Sequence, residues 1–89
     1  MGILPVPGGI YLDDFPDKAP YAISRNGQHV SVYDGLTNTD DGGNHVAFLY
    51  GSDIQAGDFI SSPDGFSFTV KSTGIDTYEG KPSIVKAYY

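Results

Sequence analysis

The stretch that decides the fold runs from Asp53 to Tyr89 and reads DIQAGDFISSPDGFSFTVKSTGIDTYEGKPSIVKAYY. Short runs in which apolar and polar residues alternate are separated here by turn signals, namely Ala56-Gly57-Asp58, Asp64-Gly65 and Glu79-Gly80-Lys81-Pro82. Alternation with a period of two is typical of strands that pack one face, and Gly beside Asp favours tight turns. This third of the chain therefore predicts a small antiparallel sheet.

The preceding residues extend the same pattern. Asn26-Gly27 separates the runs Tyr21–Arg25 and Gln28–Tyr33, and this dipeptide supplies the two positive-φ residues of a type I′ hairpin. The run Asn44–Tyr50 is apolar at alternate positions on both sides, which predicts a strand buried on both faces at the centre of the sheet.

Composition supports a single all-β domain. The chain has 89 residues, its apolar residues are mostly Tyr, Phe, Val and Ile, and 12 Gly and 6 Pro interrupt it at short intervals. We expect a small antiparallel β-barrel or sandwich of about six strands. There is no cysteine, so a disulfide framework is excluded and a reducing compartment fits better.

Residues 1–9 predict an extended arm, because Pro5 and Pro7 favour extended geometry and lack amide donors. Ile10 to Leu12 then predicts a short strand, and residues 13–20 predict a loop. In an assembly, the arm would lie across a neighbouring molecule. Its candidate partner-binding residues are Ile3, Leu4 and Val6.

Residues 34–44 have no apolar periodicity and are rich in Asp, Gly, Asn and Thr, which predicts a long, mobile, acidic loop. Leu36, Asp40 and Asp41 are its candidate partner-binding residues. The terminal strand adds Tyr88 and Tyr89, which point to opposite faces of the sheet, so at least one is expected to be available to a partner.

No residue pattern indicates catalysis, a metal or a cofactor. No serine lies in a Gly-x-Ser-x-Gly turn, and His29 and His45 lack a ligand spacing that zinc would need. The run Asp40–Asn44 could suggest a calcium loop, but Thr37 and Thr39 occupy the alternate positions before it, where such a loop needs oxygen ligands such as carboxylates. We therefore predict that the protein is not an enzyme and has no catalytic, cofactor-binding or metal-binding residues.

The net charge is −6, which disfavours a phosphate-binding surface and hence specific nucleic-acid binding. The aromatic residues of the C-terminal half could form a platform for single-stranded DNA, but such platforms normally lie in a basic groove. An acidic binding module or inhibitor that mimics DNA is a further alternative. No run reaches the ~18 apolar residues of a membrane span, and the N-terminus lacks signal-peptide features.

The C-terminal half resembles the small head-completion proteins of tailed bacteriophages, the stopper or head–tail joining class. The matching segments are an Asp-x-x-x-Gly-Asp turn that leads into a strand, a Gly-centred turn before an aromatic-Thr-Val strand, and an alternating terminal strand. They correspond to Asp53–Ile60, Asp64–Val70 and Ile84–Tyr88. The resemblance covers about residues 44–89.

This resemblance implies a non-enzymatic subunit of a ring at the portal–tail junction. The expected partners are portal, adaptor or tail subunits and further copies of the chain, and the expected location is the virion, with assembly in the bacterial cytoplasm. The loop at 34–44 would face the DNA channel, where acidic side chains suit passing DNA. An adaptor, a tail subunit or a decoration subunit remains an alternative, because residues 1–43 lie outside the resemblance.

Overall fold

One rolled β-sheet dominates the computed structural model, which describes residues 2–13 and 18–89. The sheet order is β1-β7-β8-β4-β3-β2-β5-β6, and every pair is antiparallel except β1 with β7. The all-β prediction is confirmed. The elements are β1 (Gly2–Ile3), α1 (Gly8–Asp13), β2 (Ala19–Arg25), β3 (Gln28–Asp40), β4 (Gly43–Leu49), β5 (Phe59–Ser61), β6 (Ser67–Thr69), β7 (Ser72–Tyr78) and β8 (Lys81–Tyr88).

Two hairpins turn through left-handed residue pairs. Asn26 and Gly27 have φ angles of 54° and 79°, as the Asn-Gly signal predicts for a type I′ turn between β2 and β3. Glu79 and Gly80 have φ angles of 52° and 78° and connect β7 to β8 in the same way. The strand β7 was not predicted, since its sequence STGIDTY contains a glycine and few apolar residues.

The sheet rolls because one segment pairs with two different strands. Residues 67–69 pair with β5 and residues 72–78 pair with β8, and only Val70 and Lys71 lie between them. Val70 donates its amide to Asp58 O at 2.8 Å, and Lys71 donates its amide to Tyr88 O at 2.7 Å. The two parts of the sheet are thereby held together without closing one continuous ladder, which gives a barrel-like all-β fold.

The main core fills the inside of the roll around Phe48, which is fully buried. The Phe48 ring meets Tyr21 edge-on at 5.8 Å and Tyr33 at 6.4 Å between ring centroids. Gly35 makes room for this ring, since a Cβ there would come within 2.7 Å of the Phe48 and Val46 side chains. The buried members of the main core are Tyr21, Ile23, Val46, Phe48, Ile60, Val70, Val85 and Ala87.

A smaller cluster, the outer core, lies on the opposite face of the sheet, where the N-terminal segment covers β4 and β8. Its buried members are Leu4, Leu12, Leu36, Ala47 and Ile84. Because this second layer covers the outer face of the sheet, β4 is buried on both of its faces. Residues 45–48 are accordingly all buried. The prediction of a central, doubly buried strand is confirmed.

The predicted loop at 34–44 is wrong. β3 continues to Asp40 and β4 begins at Gly43, so only two residues form the turn of a long hairpin. Backbone pairing does not depend on apolar side chains, and polar pairs such as Asn38 with His45 extend the ladder. The hydroxyl of Thr39 donates to Asn44 Oδ1 at 2.7 Å and further supports this end.

The N-terminal predictions need a similar correction. Residues 2–3 are extended, but Gly8 and Gly9 already belong to α1, and Ile10 to Leu12 is helical rather than a strand. The Leu12 side chain packs in the outer core, and this burial favours the helical turn. The predicted loop at 13–20 falls mainly on residues 14–17, outside the described residues, and Ala19 already begins β2.

Candidate interaction surface

The apolar candidates from the sequence separate into buried and exposed side chains. Ile3 is 86% exposed and Val6 is half-buried, so both remain accessible. Leu4 and Leu36 are only 7% and 3% exposed because they pack in the outer core. The expectation that these two residues contact a partner is thus replaced by a role in packing within the chain.

The polar candidates Asp40 and Tyr88 meet in an ionic cluster on the outer face of the sheet. Lys86 Nζ donates to Asp40 Oδ2 at 2.6 Å and lies 2.8 Å from Asp76 Oδ1. The Tyr88 hydroxyl donates to the same Asp40 carboxylate at 2.9 Å. The cluster fastens the end of the β3–β4 hairpin to β8, so this end is held in place. Sequence reasoning missed Lys86, although its position on an otherwise apolar strand was a signal that it needs a buried partner.

Burial and hydrogen bonding shift the protonation equilibria of the ionic cluster. The hydrogen bond from Lys86 holds the pKa of Asp40 far below its ordinary value, and the Tyr88 hydroxyl and Gly42 amide act in the same direction. Burial on its own would lower the pKa of Lys86, but the hydrogen bonds to Asp40 and Asp76 outweigh it and raise that pKa. Asp40 and Lys86 are therefore both charged near neutral pH.

Asp41 and Tyr89 follow two members of this cluster in the sequence but have different surroundings. Asp41 is exposed in the two-residue turn of the β3–β4 hairpin. Tyr89 packs its ring at 4.6 Å from Phe68 and 5.4 Å from Phe66, measured between centroids, so it closes one end of the main core. Tyr89 is half-buried in the single chain and retains some surface for a partner.

The Asp-x-x-x-Gly-Asp turn encloses a cation that sequence reasoning also missed. Arg25, at the end of β2, donates through Nε to Asp58 Oδ1 at 2.8 Å and through Nη2 to Asp58 Oδ2 at 2.9 Å. A third contact joins Arg25 Nη2 to Asp53 Oδ1 at 3.0 Å. Asp58 is buried and also accepts the Gln55 amide at 2.8 Å. The Asp-x-x-x-Gly-Asp turn is thus a structural clamp that joins the end of β2 to the segment before β5.

The stability of the fold should fall at acid pH. The pKa values of Asp58, Asp40 and Asp64 are lowered, through hydrogen bonds from Arg25, Lys86 and Ser62 respectively as the largest causes. A carboxyl whose pKa is lower in the folded state stabilises the fold above its unfolded pKa, about 4, and this contribution is lost as pH falls toward the folded value. Urea unfolding between pH 6 and pH 2 should show a decrease that begins near pH 4. A flat profile over this range would contradict the prediction.

A groove of about 550 Å³ lies between α1, the middle of β3 and the segment that follows β4. Its lining includes Leu12, Tyr33, Leu49 and Tyr50. Leu49 and Tyr50 are 49% and 53% exposed. A small domain that leaves large apolar side chains accessible around one concavity has a surface suited to binding another protein.

Within residues 2–13 and 18–89, no group of three or more His, Asp or Glu side chains is arranged to hold a metal ion. No helix in this part of the chain is long and apolar enough to cross a membrane. Comparison of the chain with protein families, curated proteins and solved structures finds no match.

Proposed function

We propose that this chain is a non-enzymatic structural subunit of a phage virion, a head-completion protein that joins a ring at the portal–tail junction. The observation that carries the proposal is the apolar groove with its exposed Leu49 and Tyr50, because it gives a rigid domain a surface for a protein partner. The virion assignment itself depends on the resemblance of residues 44–89 to head-completion proteins. An adaptor, tail or decoration subunit is the nearest alternative and would use the same kind of surface.

Rigidity supports this role. A ring subunit must present its contacts at fixed positions, and ion pairs fasten two parts of the sheet: Lys86 with Asp40 joins β8 to β3, and Arg25 with Asp58 joins β2 to the segment before β5. In this proposal the end of the β3–β4 hairpin, which contains the residues predicted as a loop, faces the DNA channel. Its turn carries the exposed Asp41, which would face the DNA channel and repel the phosphate backbone.

A DNA-mimicking inhibitor is less well supported. Such a protein needs carboxylates that stay unneutralised on one face, whereas Asp40 and Asp76 share Lys86. Asp53 and Asp58 likewise share Arg25. All four carboxylates are therefore paired with cations of the chain itself, which leaves them less suited to imitating the phosphates of DNA.

Mixing the protein with purified portal, adaptor and tail components should give a stable complex that sediments faster than any component alone. Substituting Tyr50→Ser together with Leu49→Ser should lower the complex yield at least several-fold, because both side chains line the groove. Val32→Ser is the matched control, since Val32 is also 53% exposed but lies in a separate shallow groove with Pro20 and Ala22. If no component forms a complex, or if both variants behave alike, the proposed use of the groove is wrong.

A further inference from the structure

A second pocket, here called the tyrosine pocket, lies at the end of the main core that Tyr89 closes, and its volume is about 400 Å³. Cavities of about 300–1,000 Å³ are the usual size of ligand sites. The pocket shares no lining residue with the apolar groove. Its side chains are those of Tyr21, Thr37, Ser62, Asp64, Phe66 and Tyr89, with Ala19 at the start of β2.

The Tyr21 hydroxyl has no hydrogen-bond partner in residues 2–13 and 18–89. Tyr21 is nevertheless only 4% exposed, because its ring packs edge-on against Phe48 in the main core. Every fully buried side-chain nitrogen or oxygen in the described part of the chain has a partner, so this hydroxyl must be open to solvent. The tyrosine pocket is the opening that Tyr21 lines. A buried side chain therefore presents an unpaired hydroxyl to the pocket.

Asp64 gives the tyrosine pocket a negative charge. Its Oδ1 accepts from the Ser62 hydroxyl and from the Phe66 amide, the latter at 3.2 Å. The hydrogen bond from Ser62 is the largest cause that lowers the pKa of Asp64, so the carboxylate is ionised at neutral pH. No described Lys or Arg forms an ion pair with Asp64, unlike the carboxylates that share Lys86 or Arg25.

The electrostatics of the pocket are felt at Tyr21. Burial, with the nearby charge of Asp64 as the second cause, raises the pKa of Tyr21. The Tyr21 hydroxyl is therefore protonated at neutral pH and is neutral beside an uncompensated carboxylate. A cation in the pocket would be attracted by Asp64 and could donate a hydrogen bond to the Tyr21 oxygen.

The lining favours a cationic ligand with several donors. None of the described lining residues is Lys, Arg, Asn or Gln, so the pocket has no cation for an anionic ligand, whereas its carboxylate and hydroxyls are acceptors. The half-buried rings of Phe66 and Tyr89, with centroids 5.4 Å apart, add aromatic surface that attracts cations. An arginine guanidinium has several donors in one plane, stacks on aromatic rings and is more weakly hydrated than a lysine ammonium.

From these observations we infer that the tyrosine pocket binds an arginine side chain of a partner protein. The guanidinium donates to Asp64 and Tyr21 and packs against the rings of Phe66 and Tyr89. The net charge of −6 favours the approach of such a basic segment. The inference goes beyond the proposed function, because it assigns a site separate from the apolar groove and holds whether or not the chain joins a virion.

A nuclear magnetic resonance titration with N-acetyl-arginine amide at neutral pH tests the site. We expect saturable shifts of the backbone amide signals of residues 19–21, 37, 62–66 and 89, with a dissociation constant in the millimolar range. N-acetyl-citrulline amide, the neutral analogue, should bind at least several-fold more weakly, because hydrogen bonds from a charged donor are stronger. Equal binding of the two probes overturns the inference. Shifts at these residues with a neutral methyl glucoside, and none with the arginine probe, would show a saccharide site instead.

The variant D64N should weaken binding of the arginine probe at least several-fold, since asparagine retains a side-chain oxygen for the turn but loses the charge. The matched control is D41N, which removes the same charge from the exposed turn of the β3–β4 hairpin and should leave the affinity unchanged. If D41N weakens binding as much as D64N, the probe responds only to the overall charge and the inference is wrong.

A second variant, Y21F, keeps the ring against Phe48 and removes only the hydroxyl. It should weaken binding roughly two- to tenfold, the effect of losing one hydrogen bond, with an unchanged circular dichroism spectrum. Because Y21F leaves the Asp64 turn intact, an unchanged affinity in this variant overturns the role of the hydroxyl even if D64N disturbs the turn. The groove variant L49S/Y50S should bind the probe like the parent, and a loss of binding there would place the probe in the groove and overturn the inference.

Discussion

Phe48→Ala should lower the free energy of unfolding by about 3–5 kcal/mol, the usual cost of removing a buried phenyl ring. Phe48 is fully buried, and its ring contacts Tyr21 and Tyr33 at the centre of the main core. The surrounding strands are joined by backbone ladders and cannot collapse fully into the cavity. Whole domains have roughly 5–15 kcal/mol of stability, so this variant should lose a large part of the stability of the fold. Urea unfolding monitored by circular dichroism measures the effect.

Leu49→Ala is the matched control, because Leu49 follows Phe48 on β4 but points to the opposite face and is 49% exposed. Its substitution should cost less than about 1 kcal/mol, as expected for a surface position. If the two variants were equally stable, the assignment of Phe48 to the inside of the roll would be wrong.

The double variant D40N/D76N should lower the free energy of unfolding by about 3 kcal/mol, the lower end of the range for a buried ion pair that loses its partner. The Lys86 side chain is 7% exposed, and both its anionic partners would then be neutral amides. The lower end applies because the Asp40 side chain is 32% exposed and water screens part of the pair. Thermal unfolding near neutral pH measures this loss.

Adding K86M to this double variant should restore most of the lost stability, because methionine fills a similar volume without a charge to desolvate. The comparison of the double and triple variants isolates the cost of the stranded ammonium group. A triple variant that is no more stable than the double variant would show that the two carboxylates act through contacts other than Lys86.

The elements that the sequence predicted well are those whose signal is local. Asn26-Gly27 forms a turn because of the backbone preference of these two residues alone. The apolar alternation around Val46 and Phe48 likewise predicts a strand with one face in the core, whichever strands lie beside it. The strand β7 and the outer half of the β3–β4 hairpin were missed for the opposite reason. Their polar side chains give no period, and they become strands because β8 and β4 offer backbone partners.

The candidate site was predictable only in part. Asp40 and Tyr88 were each selected from the sequence, but for separate surfaces, and Lys86 and Arg25 were not selected. The ion pairs join residues that are 46 and 33 positions apart, and no local pattern specifies such a distant partner. Leu4 and Leu36 resembled contact residues because the outer core that buries them exists only after α1 folds onto the sheet.

By itself, the sequence determined the class of the fold, the hairpin turns at Asn26-Gly27, Asp64-Gly65 and Glu79-Gly80, and the central strand, because period-two alternation and positive-φ residues act over a few neighbouring positions. Only the tertiary structure decided which acidic residues are neutralised, which apolar residues stay exposed around the groove, and where the arm is attached. Those properties depend on which distant strands become neighbours when the sheet rolls. Burial and charge pairing are set by that proximity.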